Sequence, residues 1–368
     1  MLFWISDLEL RIFAMWKVVG HKRALSLLQG GLSQGRIAHA YLFTGPTHVG
    51  KMTLARDLAC ALNCESGEPP CGECSSCQRI LSGKHSDVQE ISLGKNVDGK
   101  FQTEISIEEI RQLQHSANLP PFEGKCRVFI IDGAECLSTE AANCLLKALE
   151  EPMDRVVFVL LTTKEQLLLA TVVSRCQRID LHPLSIGEVQ SALTAIWKVP
   201  AERANLLARL SHGCLGWAVT AIEGGLLDER VAQIEELITT IDAGLEDRFD
   251  YAARLATEFG QDRERVQAKL SLWLDWWRDL MLLSSGLENM VTNVDRLDTL
   301  GRMAAGLDLV QIRAAIESII LTGEQLNLNA NARLALEVLM LSLPTIGKQV
   351  GSDRMTRYQT SGKASQST

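Results

Sequence analysis

The 368-residue sequence has no uninterrupted apolar run of the ~20 residues that a membrane-spanning helix needs. It has no excess of positive charge either: 37 Lys and Arg stand against 45 Asp and Glu, a net charge of −8. Nonspecific nucleic-acid affinity therefore does not follow from charge, and any such contact must be local or shared with a partner. Residues 1–14 contain acids and lack a basic start, which makes them a poor secretory signal. They read as a short extension or a misassigned start, with Met15 the expected first residue. No internal repeat is detectable. Of the 10 cysteines, four are clustered and the rest are scattered, which suits metal binding in a reducing cytoplasm better than secretory disulfides. A chain of this length, 46% hydrophobic, has material for two or three domains.

What is present is a phosphate-binding loop pattern. Gly45-Pro46-Thr47-His48-Val49-Gly50-Lys51 follows the apolar run Ala40-Tyr41-Leu42-Phe43 and leads into Met52-Thr53-Leu54-Ala55-Arg56-Asp57-Leu58-Ala59, which has helical periodicity. Gly45 and Gly50 permit a turn whose N–H groups face an anion. The helix start adds partial positive charge and Lys51 a full one. The pattern breaks at Met52, whose thioether stands where a hydroxyl ligates the magnesium between the outer phosphates. Thr53 comes one residue late, turned about 100° around the helix. The expectation is a nucleotide-binding fold with ATP and magnesium binding doubtful and hydrolysis impaired or lost.

Cys64, Cys71, Cys74 and Cys77 follow that helix with spacing C-x6-C-x2-C-x2-C. Four thiolates close a tetrahedral zinc site with no open position, a structural arrangement. A C-x2-C-x2-C run also occurs in iron–sulfur proteins, and a set of buried thiols without metal is the third reading. Cys60, Cys126, Cys136, Cys144, Cys176 and Cys214 lie in apolar stretches and read as small core residues.

Two continuous apolar runs, Arg127-Val128-Phe129-Ile130-Ile131-Asp132 and Val156-Val157-Phe158-Val159-Leu160-Leu161-Thr162-Thr163, suit buried parallel strands. Asp132 ends the first where the ligand crevice of such a sheet opens, and could hold magnesium through water. The next residue is Gly133, which cannot do general-base work. Ser106 with Glu108 and Glu109 marks a helix start with acids in its first turn.

Ala141-Ala142-Asn143-Cys144-Leu145-Leu146-Lys147-Ala148-Leu149-Glu150-Glu151-Pro152, then Thr162-Thr163, then Ser174-Arg175-Cys176, resembles the core of bacterial DNA polymerase III clamp-loader subunits, an AAA+ family. The stretch Leu328-Asn329-Ala330-Asn331-Ala332-Arg333-Leu334-Ala335-Leu336-Glu337 resembles a collar helix of that family, and the match runs from about Met15 to Pro344. The resemblance implies that Arg175 crosses a subunit boundary to contact ATP held by a neighbour, a task suited to a planar, permanently charged fork. It implies that Val18 and Val19 line an adenine pocket. It also supplies what the active family members have and this chain lacks: a glutamate at the place of Gly133 and a lid arginine at the place of Gly216, in Leu210-Ser211-His212-Gly213-Cys214-Leu215-Gly216-Trp217-Ala218. With Met52, three catalytic positions are lost together. The implied role is a noncatalytic subunit that braces a hetero-oligomeric ring and lends Arg175 to the adjacent site. The implied partners are the ATP-hydrolysing gamma/tau subunits, delta, the sliding clamp and primed DNA, with no membrane. A gamma/tau-type motor and a standalone zinc-containing ATP-binding regulator are the alternatives.

The expected organisation is an α/β P-loop AAA+ domain at 15–182, a parallel sheet with helices on both faces and a zinc module inserted at 64–77. A helical lid follows at 183–240, a helical collar at 245–346 and a disordered tail at 347–368, rich in Ser, Gly, Lys, Gln and Thr. Trp273, Trp276, Trp277 and Leu280 share one helical face and read chiefly as core. The polar stretch 94–100 reads as a loop.

Overall fold

The computed structural model describes residues 16–94, 102, 104–151, 153–328 and 330–345. The expected extension at 1–14, the loop at 95–100 and the expected tail at 347–368 lie outside the described residues, as do Pro152 and Asn329 of the quoted motifs.

The chain divides into two compact units between Ile222 and Glu223. The first contains α1 (Lys22–Ser33), β1 (Ala40–Thr44), α2 (Lys51–Asn63), α3 (Ser75–Leu81), β2 (Val88–Ile91), α4 (Ile107–Ala117), β3 (Arg127–Asp132) and α5 (Thr139–Glu150). It continues through β4 (Val156–Thr162), α6 (Ala170–Val173), β5 (Gln177–Asp180), α7 (Ile186–Ala195), α8 (Ala201–Leu210) and α9 (Leu215–Glu223). The strands form one sheet in the order β2-β3-β4-β1-β5, every pair parallel.

Strand alternation divides the apolar runs between two cores, which is why these strands lack polar faces. Tyr41, Phe43, Val128, Ile130, Val157 and Val159 join Leu25 and Leu28 of α1 and Leu54 and Leu58 of α2 on one side. Leu42, Phe129, Ile131, Phe158 and Leu160 join Ile110 and Leu113 of α4 and Leu145 and Leu149 of α5 on the other. Helices therefore cover both faces, and the Phe129 and Phe158 rings stack with centroids 5.5 Å apart. The Ser106 start of α4 is a full capping box: Glu109 N–H donates to Ser106 Oγ and Ser106 N–H to Glu109 Oε2.

Two buried polar side chains fix loops near the cysteine cluster. Asn63 Oδ1 accepts from the amides of Lys125 and Cys126 at 2.8 and 2.9 Å, tying the end of α2 to the start of β3. Asp87 accepts from the amides of Phe122, Glu123 and Gly124 at 2.7 to 2.8 Å and faces Arg127. Burial pushes the Asp87 carboxyl up, but these donors together outweigh it and hold the group below the usual carboxylate range.

The second unit is helical: α10 (Leu226–Asp242), α11 (Leu245–Gln261), α12 (Arg263–Ser284), α13 (Leu297–Gly306), α14 (Leu309–Asn327) and α15 (Ala332–Ser342). α10 buries Ile234, Leu237 and Ile241 with the helices that follow it, so the compact unit begins ahead of the boundary near 240 read from the sequence. Trp273, Trp276, Trp277 and Leu280 are fully buried, as a core stripe should be. Buried Arg248 donates from Nη1 to the Met340 and Leu343 carbonyls, both at 2.8 Å, and from Nη2 to that of Ile241, satisfying the ends of α15 and α10. No helix among the described residues is long and apolar enough to cross a membrane.

Candidate functional site

The loop between β1 and α2 sits at the C-terminal end of the sheet, where β1 lies between β4 and β5. Gly45 and Gly50 adopt φ of 149° and 113°, and His48 takes a left-handed φ of 62°. Lys51 is buried, and its Nζ donates to the carbonyls of Gly45 at 2.7 Å and Pro46 at 2.8 Å. Its charge is thus directed at its own loop. Burial pulls its pKa down, and the charges of Asp132 and Glu135 act against that fall. The sheet thus brings Asp132, at the end of β3, into electrostatic reach of Lys51. Burial raises the Asp132 carboxyl and the lysine lowers it.

The lid closes on this loop. The amide of Gly216, in the first turn of α9, donates to the His48 carbonyl at 2.9 Å, and a Cβ on Gly216 would stand 2.7 Å from that same oxygen. Gly216 is therefore in backbone contact with the phosphate loop, and any side chain there would have to force that contact apart. Cys214, two residues earlier, is near enough for the Lys51 charge to act on its thiol. Burial is the larger influence and raises that thiol.

Gly133 adopts φ of 76°, a backbone that disfavours the glutamate of an active site as much as glycine lacks its carboxylate. The nearby acid, Glu135, is committed elsewhere. The Thr163 amide and hydroxyl donate to its Oε1 at 3.0 and 2.5 Å. Burial raises this carboxyl, but the hydrogen bonds outweigh it and keep the group ionised. In the first turn of α2, Thr53 is exposed and Met52 packs half-buried against the core. Neither residue places a hydroxyl beside Lys51.

Val18 and Val19 border a cleft of about 600 Å³ with Trp16, Gly20, Ile196 and Trp197. The Val18 amide donates to Asp57 Oδ2 of α2 at 2.9 Å, and His21 Nε2 donates to the Val49 carbonyl at 3.0 Å. Both contacts tie the segment bordering the cleft to the phosphate loop and its helix. Asp57 is 2% exposed, and burial raises its carboxyl to about 6. Nothing in the sequence pointed to the Val18–Asp57 or Gly216–His48 contact, because each joins residues far apart in the chain.

The four Sγ atoms of Cys64, Cys71, Cys74 and Cys77 lie within 4.8 Å of one another, with Cys71 and Cys77 at 4.0 Å. A tetrahedron of Zn–S bonds of about 2.3 Å has edges of about 3.8 Å, so the cluster has the right size. The amides of Cys71, Cys74 and Cys77 donate to Sγ of Cys64, Cys71 and Cys74 at 3.4, 3.3 and 3.5 Å, which orients sulfur lone pairs inward. The Cys74 and Glu73 amides pull the Cys71 thiol down to about 6, favouring thiolate. Soft donors, all sulfur, with no open side are compatible with a structural zinc site. Buried Cys60 and Cys126 and half-buried Cys176 have thiols pushed up to about 12, 11 and 12 by burial, which keeps them protonated and inert.

Arg175 follows α6 and is one third exposed. It lies on the turn into β5, at the N-terminal end of the strand that pairs in parallel with β1, whereas Lys51 follows the C-terminal end of β1; its Nη2 is 2.6 Å from Glu150 Oε1 and its Nη1 donates to the Thr171 carbonyl at 2.9 Å.

Residues 20–185 match the family described as DNA polymerase III, delta subunit. The chain is 38% identical over 230 residues to the DNA polymerase III subunit tau of Escherichia coli K12, covering 61% of this chain and 34% of that protein, so it spans about one third of the tau length. It is 28% identical over 331 residues to the delta-prime subunit of Bacillus subtilis, covering 89% of this chain and 98% of that protein. A solved gamma subunit-related protein of Thermotoga maritima aligns at 18% identity with a TM-score of 0.40, over 85% of this chain and 97% of that one. In sequence the chain is thus similar to DNA polymerase III clamp-loader subunits, over nearly the whole length of a delta-prime subunit and over about one third of tau.

Proposed function

We propose that this chain is the delta-prime-type, nonhydrolysing subunit of a clamp loader, closing one end of an AAA+ ring and bracing it. The observation that carries the reading is the Gly216–His48 contact, in which the lid lies on a phosphate loop whose lysine already serves its own carbonyls. A subunit built in this way keeps lid and base together without nucleotide. The match along 98% of a delta-prime protein supports the same assignment. The whole assembly loads the sliding clamp onto primed DNA in the cytoplasm, with gamma/tau and delta subunits as partners.

In this reading residues 15–182, the lid and the helical second unit are base, lid and collar. Leu334, Val338 and Leu341 share one face of α15 and are 60%, 52% and 54% exposed, which supports packing against neighbouring collars. Cys64, Cys71, Cys74 and Cys77 hold zinc, which supplies a structural crosslink between the end of α2 and the start of α3 and takes no part in chemistry. Arg175 reaches the ATP site of the adjacent subunit.

A motor-type role draws support from the 38% identity to tau and from the retained Lys51. Turnover by the isolated chain decides between the two roles. For the finger, Arg175→Ala in a reconstituted complex should leave assembly and zinc content intact and reduce clamp- and DNA-stimulated ATP turnover. Arginine fingers are worth about 10³ to 10⁵ in rate, diluted here because one site of several is affected. Undiminished clamp loading would make this subunit purely architectural.

A further inference from the structure

The backbone around Arg175 is firmly held. Its amide donates to the Val172 carbonyl at 3.1 Å, and the flanking Ser174 and Cys176 amides donate to Ala170 and Val173. Ser174 Oγ and Arg175 Nη1 both donate to the Thr171 carbonyl, at 3.1 and 2.9 Å. The arginine side chain itself is long and has considerable rotamer freedom to lose. Its guanidinium meets Glu150 Oε1 at 2.6 Å.

Glu150 is the last residue of α5, followed by Glu151. A carboxylate there faces the negative end of the helix dipole, so helix stability does not account for it. A guanidinium has five N–H donors, and contact with Thr171 and Glu150 leaves donors over for phosphate oxygens. We propose that Glu150 is the positioning residue of Arg175, holding its guanidinium in the pose that receives a neighbour's phosphate. The inference rests on the reading of Arg175 as a finger. Its physical basis is pre-organisation: a side chain ordered before the encounter loses less freedom in the transition state.

The test compares reconstituted complexes carrying Glu150→Ala, Glu150→Gln, Arg175→Ala and the double substitution Glu150→Ala with Arg175→Ala. Glu150→Ala should lower kcat of stimulated ATP turnover about two- to fivefold, the scale of an exposed ion pair, with KM for ATP unchanged. Glu150→Gln, which keeps an acceptor and loses the charge, should retain more activity than Glu150→Ala. The double variant should equal Arg175→Ala, because Glu150 then has nothing to position. A merely structural glutamate would instead give additive losses. Turnover by the Glu150→Ala complex at or above wild type, or a further drop in the double variant, overturns the proposal while Arg175→Ala remains defective. Full activity of Arg175→Ala overturns the finger reading itself.

Discussion

The amide of Gly216 donates to the carbonyl oxygen of His48 at 2.9 Å, joining the first turn of the lid's last helix to the phosphate loop. Since a Cβ at Gly216 would lie 2.7 Å from that oxygen, Gly216→Arg cannot restore a lid arginine without breaking the contact. We expect the variant to lose about 1–3 kcal/mol of stability, the usual cost of overpacking, and to gain no ATP turnover. Thermal melts and an ATPase assay check both. An unchanged Tm together with new hydrolysis would sink the idea.

Met52→Thr should leave the isolated chain without ATPase activity above background. It restores the magnesium hydroxyl but leaves Gly133 unable to orient water and Lys51 bonded to Gly45 and Pro46. Single-turnover measurements on the wild type and the variant provide the check, and robust hydrolysis by either refutes the nonhydrolysing assignment.

The chain should carry about one zinc per molecule. Cys74→Ser removes the sulfur that caps α3 and accepts the Cys77 amide, so metal should be released and the first thermal transition lowered. The helical unit from Glu223 onward has its own core and should stay folded. Elemental analysis of reduced, freshly purified protein tests the metal. Iron in place of zinc would identify a cluster site, and neither metal would leave only thiols.

Asp57 predicts a pH dependence. The unfolded carboxyl ionises near its model value of 3.8, whereas the folded one keeps its proton up to about 6. Between these values the folded state binds more protons, so the contribution of Asp57 to stability falls as pH rises from 3.8 to about 6 and stays lost above. The span is worth up to about 3 kcal/mol. Asp57→Asn keeps an oxygen for the Val18 amide without the charge. Its Tm relative to wild type should therefore climb between about pH 4 and pH 6.5 and then level off. A constant difference across that range would contradict the burial argument.

Local patterns carried much of this protein. The continuous apolar runs at 127–132 and 156–163 determined buried strands, because a strand covered on both faces has no polar side to show. Ser106 with Glu109 determined a helix start, since the capping groups are three residues apart. The spacing of Cys64, Cys71, Cys74 and Cys77 selected a cluster, and the glycine pattern at 45–50 selected a phosphate loop. Tertiary structure alone decided that the lid meets that loop. Gly216 and His48 are separated by most of the α/β domain, and Glu150 meets Arg175 across β4 and α6, so no periodicity encodes either pair. The burial of Asp57 likewise depends on the segment before α1, whose Val18 amide it accepts from across 39 residues. Met52, Gly133 and Gly216 were legible as residue types. The Gly216–His48 contact arose only when the lid packed on the phosphate loop, because a hydrogen bond between a distant amide and carbonyl depends on the folded path of the chain rather than on its side chains.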